Sequence, residues 1–128
     1  MSKCPCGSNK EFDDCCNRYI SEKLNAPMPE DLMRSRYSAY TQANISYIQK
    51  TMCGKAAKNY DENSALDWAR NTEWLGLSVL KSEMQTSEIG FVEFVARYKY
   101  NGINQQIHER SEFLKIKDKW YYVDGVIF

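Results

Sequence analysis

The chain has 128 residues, enough for one domain of ordinary size, and its balance of 43% apolar to 27% charged residues excludes a disordered chain. Lys plus Arg and Asp plus Glu both number 17, so the net charge is zero, which argues against a broad electrostatic grip on nucleic acid or anionic lipid. No apolar run approaches the roughly 18 residues a membrane span requires. The polar, cysteine-rich start has no apolar leader segment, so the expected location is the cytoplasm.

The first element is a cysteine run, Cys4-Pro5-Cys6-Gly7-Ser8-Asn9-Lys10-Glu11-Phe12-Asp13-Asp14-Cys15-Cys16, which holds four of the five cysteines. Two close pairs of soft sulfur ligands joined by a short polar turn can close a tetrahedron around Zn²⁺, one ion per chain, and a site closed by four protein ligands is structural. Pro5 fixes one φ angle and Gly7 permits a left-handed turn, so backbone N–H groups can point at the sulfurs, with the Phe12 ring as a cover. Disulfides are the first alternative, but they belong mostly to oxidising compartments, and two bridges between such tight pairs are cramped. Redox chemistry is the second, but no Cys-x-x-Cys opens a helix here. Cys53 stands alone and reads as a small buried hydrophobe.

This run resembles the SEC-C motif, and Cys4, Cys6, Cys15 and Cys16 fall on its four ligand positions. Asn9 stands where the motif has glycine, Glu11 where it has lysine and Phe12 where it has tyrosine. Asn tolerates a left-handed φ, so the turn is kept. Glu11 removes a basic group from any docking surface. The motif is best known as the zinc tail of the preprotein-translocase motor ATPase, where it contacts an export chaperone. The resemblance thus implies zinc and contact with a protein partner, in a module over residues 1–20.

Residues 17–29 read as a connector ending in Ala26-Pro27-Met28-Pro29. Pro29 suits the first position of a helix, and Glu30 and Asp31 suit the positive end of its dipole. Met33, Tyr37, Tyr40, Tyr47 and Ile48 follow at helical spacing, which predicts one helix to about residue 51. A loop with a short helical turn follows Gly54. Ser64 with Asp67 reads as a capping box for a short helix carrying Trp68. From Trp74 the period changes to two, with Leu75, Leu77 and Val79 on one face. Gln85–Glu88 is a turn. Val92, Phe94, Ala96, Tyr98 and Tyr100 mark one face of a long strand, and Asn101-Gly102 predicts a two-residue hairpin. A third strand runs from Ile103 to about Lys117, and a fourth from Trp120 to Val126. The class is α+β, with helices packed on a curved antiparallel four-stranded sheet.

This order resembles the nuclear transport factor 2-like cone. Over residues 30–128 the chain is similar to the YchJ-like family, which joins a SEC-C motif to that fold. The resemblance is carried by Leu32-Met33-Arg34-Ser35-Arg36-Tyr37-Ser38-Ala39-Tyr40, Val92-Glu93-Phe94, His108-Glu109-Arg110-Ser111-Glu112-Phe113 and Trp120-Tyr121-Tyr122-Val123-Asp124-Gly125. It implies the fold and the zinc site but no activity. Many members carry a second cysteine module further on, for which this sequence has no counterpart.

On a strand, Ile107, Glu109, Ser111 and Phe113 share one face and His108, Arg110 and Glu112 the other. If Phe113 looks into the cone, Glu109 and Ser111 enter it too. Glu109 is the one catalytic candidate, as a general base, but the expected structural role is an ion pair with Arg34 or Arg36. His108 is expected on the outer face, where it cannot serve Ser111. Asp124 before Gly125 is expected to hold a turn or bulge. Tyr37, Trp68 and Tyr122, with Tyr40 and Trp74, are expected as core or pocket lining. The favoured reading is a non-enzymatic zinc-bearing adaptor whose cone is a scaffold or small-ligand receptor. The alternatives are a cone-fold isomerase or hydrolase using Glu109, and a nucleic-acid or ribosome-associated module, against which the neutral charge and Asp13-Asp14 weigh. An open sheet face also allows a homodimer.

Overall fold

The computed structural model describes residues 3–128. A 3-10 turn at Phe12–Asp14 leads into α1 (Asn17–Ile20), followed by α2 (Pro29–Thr41), α3 (Ile45–Lys50), α4 (Gly54–Lys58) and α5 (Glu62–Arg70). Four strands complete the chain: β1 (Thr72–Met84), β2 (Ile89–Tyr100), β3 (Ile103–Ile116) and β4 (Lys119–Ile127). They form one antiparallel meander in the order β1-β2-β3-β4. The expected α+β class, helices on a curved four-stranded sheet, is what the chain adopts.

Both tight hairpins follow from local chemistry. Asn101 and Gly102 have φ of 52° and 77°, the paired left-handed values that match strand twist. Lys117 and Asp118 take φ of 50° and 66° without a glycine, held by the paired strands on either side. Along β2 the alternation is kept: Val92, Phe94, Ala96 and Tyr98 are buried against the helices.

The single helix expected to residue 51 is instead two. Ala43 takes a left-handed φ of 54°. The Ala43 N–H donates to the Tyr40 carbonyl and the Asn44 N–H to the Ala39 carbonyl, which closes the carbonyl end of α2. Asn44 then caps α3 by accepting from the Tyr47 N–H. The expected capping box at Ser64 also moves. Asp61 is the cap of α5, accepting from the Asn63 N–H and the Ser64 hydroxyl. Leu75 is corrected as well. A bulge between Trp74 and Gly76 turns its side chain outward, leaving it 48% exposed while Leu77 is buried.

Helix α2 is the central beam. Its Met33 and Tyr37 face the sheet, and Ser35 shares a hydroxyl contact of 2.7 Å with the Tyr47 phenol on α3. Burial pushes the Tyr47 phenol up to about 12 from an ordinary value near 10. The buried phenol therefore stabilises the fold fully below pH ~10 and loses that contribution as pH rises through about 12, a loss of about 3 kcal/mol. Phenolate absorbance should show this tyrosine titrating late and together with alkaline unfolding. The free edge of β4 is covered by the segment after α3, with the Tyr122 N–H donating to the Thr51 carbonyl and the Cys53 N–H to the Tyr122 carbonyl. Cys53 is half-buried rather than fully enclosed, and burial raises its thiol.

Candidate metal centre and cone cavity

Cys4, Cys6, Cys15 and Cys16 converge although eleven residues separate the outer members of the run. The Cys4 N–H donates to the Lys10 carbonyl, an isolated antiparallel bridge pairs Lys3 with Glu11, and Asn9 takes the left-handed φ of 69° expected of it. This loop folds the first pair back over the second. The four sulfurs lie within 4.8 Å of one another, and those of Cys6 and Cys15 are 3.7 Å apart. A tetrahedral thiolate site with bonds of about 2.3 Å has edges of about 3.8 Å, so the spacing fits a metal ion. It does not fit a disulfide between Cys6 and Cys15, which needs about 2.05 Å.

All four cysteines are buried. The Cys6 thiol is lowered well below its ordinary value by hydrogen bonds from Cys16 and Cys4. Cys16 is raised, because its proton is shared with Cys4 and Cys6 and burial adds to the effect. Burial likewise raises Cys15. The cluster is thus a buried set of four soft donors in which a cation can replace the thiol protons. The Ser8 hydroxyl lies 3.1 Å from the Cys15 sulfur, and the Ser38 hydroxyl 3.5 Å from that of Cys4.

The segments set apart in the sequence at 1–20 and 30–128 share one core. The four cysteines pack in one cluster with Leu32, Met33, Ala39, Leu77 and Phe113. Arg34 ties them to α2 by donating to the Cys6 carbonyl at 2.8 Å.

On the far side of α2 the curved sheet encloses a cavity of about 180 Å³, walled by Tyr37, Tyr40, Trp68, Trp74, Glu109 and Tyr122 among others. Beside it is an open cleft of about 650 Å³ that shares Tyr40, Trp68, Glu109 and Tyr122 as walls. Trp68 and Trp74 meet edge to face at 4.9 Å, with Tyr40 5.6 Å from Trp68. The Trp74 indole N–H and the Tyr60 hydroxyl are buried without a partner among the described residues.

Glu109 does enter the cone, but not as an ion pair. Its Oε2 accepts from the Ser111 hydroxyl at 2.5 Å and the Tyr122 hydroxyl at 3.0 Å. Arg34 pairs with Glu30 at 3.0 Å instead. Arg36 donates to the Ile48 carbonyl at 2.8 Å and to the Thr51 hydroxyl at 2.6 Å, and its guanidinium lies 4.9 Å from the Tyr122 ring centre. Burial, then the Glu109 charge, raises the Tyr122 phenol, so it stays a donor.

A bulge at the Glu112–Phe113 step of the β3–β4 pairing makes this arrangement. Tyr122 comes opposite Phe113 and Gly125 opposite Ser111, so residues three apart on β4 both meet the Glu109 face. A side chain on Gly125 would overlap the Glu109 carboxylate and the Tyr122 hydroxyl. Asp124 lines the outer cleft rather than the inner cavity. There it accepts from the Gly125 N–H and lies 3.7 Å from the Lys55 ammonium. His108 is on the outer face, 2.7 Å from Glu93 Oε2 and stacked on Phe128 at 4.4 Å. Strand alternation reached Glu109 and Ser111. Gly125, Tyr60 and the orphaned Trp74 N–H carried no sequence signal beyond their residue types.

The fold and the sulfur cluster define a class: a cone domain of the nuclear transport factor 2-like type with an N-terminal SEC-C motif that can bind metal. The SEC-C motif matches residues 2–18, and the domain described as "YchJ, middle NTF2-like domain" matches residues 28–125. The chain belongs to the YchJ-like family. It is 40% identical over 124 residues to UPF0225 protein GSU1048 of Geobacter sulfurreducens, covering 95% of this chain and 77% of that one. The solution structure of RPA3114, a SEC-C motif containing protein from Rhodopseudomonas palustris, superposes with a TM-score of 0.90 at 37% identity over 99% of both chains. A SEC-C motif containing protein from Psychrobacter arcticus gives 0.87 at 30% identity over 100% of this chain and 84% of that one. No helix among the described residues is long and apolar enough to cross a membrane.

Proposed function

We propose that the chain is a zinc-stabilised, non-enzymatic binding protein of the cytoplasm. Its cysteine centre holds one structural Zn²⁺, its cone receives a small ligand, and the exposed loop around Asn9, Lys10 and Asp13 is the docking surface for a protein partner. The observation that carries this reading is the enclosure of four sulfurs at tetrahedral spacing inside the same core that walls the cavity. When bound, the ion supplies a closed, non-reactive charge centre. Cys4, Cys6, Cys15 and Cys16 hold it, Ser8 and Ser38 lie beside the sulfurs, and Arg34 ties the loop to α2.

Elemental analysis of protein purified without added metal should find about one zinc per chain. A value near zero in protein that is folded and resists chelators would end the zinc assignment. For the docking surface, a partner isolated with the intact chain should be lost on Lys10→Glu with the fold unchanged. Its retention would remove that surface from the proposal.

A second reading, a cone-fold isomerase or hydrolase with Glu109 as general base, is favoured by one observation: the carboxylate has no cationic partner within ion-pair distance among the described residues and meets the cavity. The two readings part at Glu109→Gln. A receptor changes its affinity, whereas an enzyme keeps binding substrate but loses turnover, by a factor of about 10² or more if the base is essential.

A further inference from the structure

We infer that the cone cavity selects a flat organic cation: one ring or a fused pair, bearing an ammonium or amidinium group that donates to Glu109. The inference deepens the receptor reading and rests on it.

Glu109 is the anchor. Both of its donors, Ser111 and Tyr122, use Oε2, which leaves Oε1 without a hydrogen bond from the described residues. A half-buried carboxylate with a free oxygen and no cation beside it calls for one, and a ligand can bring it. Arg36, the other charged group in the wall, is already engaged. Its Nη1 is committed to the Ile48 carbonyl and the Thr51 hydroxyl, and its guanidinium is laid on the Tyr122 ring. The charges around the outer cleft favour a cation as well. Asp61 and Asp124 line it with Glu109, and its one basic side chain, Lys55, lies against Asp124.

The walls set the shape. Tyr40, Trp68 and Trp74 form an aromatic lining, which attracts cations through the ring quadrupole and packs against flat rings. At about 180 Å³ the inner cavity is below the size of drug-like sites, which begin near ~300 Å³, so it admits one or two rings.

An isosteric series tests the charge alone: benzamidine, benzamide and benzoate titrated into the full-length, metal-loaded protein. The readouts are the indole N–H resonances of Trp68 and Trp74. Trp120, whose indole donates to the Pro27 carbonyl, serves as the internal reference. Benzamidine should shift Trp68 and Trp74 but not Trp120, and should bind at least tenfold tighter than benzamide, with benzoate weakest. Glu109→Gln should erase the preference for benzamidine and leave benzamide affinity within about twofold. If that variant does not fold, the series on the unaltered chain still decides. Equal or tighter binding of benzamide or benzoate at the same indoles would overturn the cation and leave the receptor standing. Benzamidine preference that survives Glu109→Gln would overturn the anchor. No shift of Trp68 or Trp74 by any member at millimolar concentration would overturn the receptor reading with it.

Discussion

Removing metal from the cysteine centre is expected to lower the melting temperature by more than about 15 °C, and returning zinc should restore it. Structural zinc in small peptides contributes about 10–16 kcal/mol of apparent binding energy, as much as the whole stability of an ordinary domain, about 5–15 kcal/mol. In a chain of this length each kcal/mol moves the midpoint by about 3–5 °C, so even half of that energy gives a large shift. The size of the effect depends on where the centre sits. Cys6 is fully buried and Cys16 nearly so, and both pack in the cluster that contains Leu32, Met33 and Phe113. An appended knob would melt alone and leave the cone intact, whereas here the core of the cone loses one wall. Calorimetry with and without a strong chelator, beside a Cys16→Ser variant, measures this. A shift of about 2 °C or less would show that the sulfurs do not hold the fold together.

The second large effect is expected at Arg36→Ala, at about 3–5 kcal/mol. Arg36 is 7% exposed, and the substitution removes its bonds to the Ile48 carbonyl and the Thr51 hydroxyl. Each hydrogen bond from a charged donor is worth about 1.5–3 kcal/mol. Truncation also removes one donor from the Ile48 carbonyl near the end of α3 and opens a void beside the Tyr122 ring. Chemical denaturation gives the number directly. The same experiment checks the site. If Arg36 neutralised Glu109, Glu109→Gln would be coupled to it by 1 kcal/mol or more. The two groups form no ion pair and meet only through Tyr122, whose hydroxyl donates to Glu109 and whose ring lies against Arg36, so the double-mutant coupling should stay below the roughly 1 kcal/mol expected of a direct pair.

Most of the fold was legible in the sequence because its signals are local. The cysteine spacing, Pro29 at a helix start, the alternation along β2 and the Asn101-Gly102 turn each act over a few residues. What was missed depends on events that composition does not mark. Ala43 ends α2 in a conformation glycine usually takes, so the apolar spacing from Met33 to Ile48 read as one helix. The bulge at Leu75 reverses an alternation that looks regular on paper. The site follows the same division. Strand alternation brought Glu109 and Ser111 to one face, but their neighbours were set by an extra residue in β4, which a period of two assigns to the opposite side. The expected ion pair failed because both arginines are engaged elsewhere, Arg34 with Glu30 and Arg36 with the Ile48 carbonyl and the Thr51 hydroxyl, while the hydroxyl groups of Ser111 and Tyr122 meet one oxygen of the carboxylate.

That same bulge makes positions 109 and 125 joint owners of one small volume. A methyl group at 125 and a carboxylate at 109 claim the same space, so neither position can be exchanged on its own terms. Gly125→Ala alone should be destabilising, by about 1–3 kcal/mol, while the same change beside Glu109→Ala should recover only the part due to the carboxylate, because the Tyr122 hydroxyl crowds the same position. The acid in the cone and the missing side chain facing it are therefore coupled, and any residue larger than glycine at 125 requires both the carboxylate and the Tyr122 hydroxyl to give way.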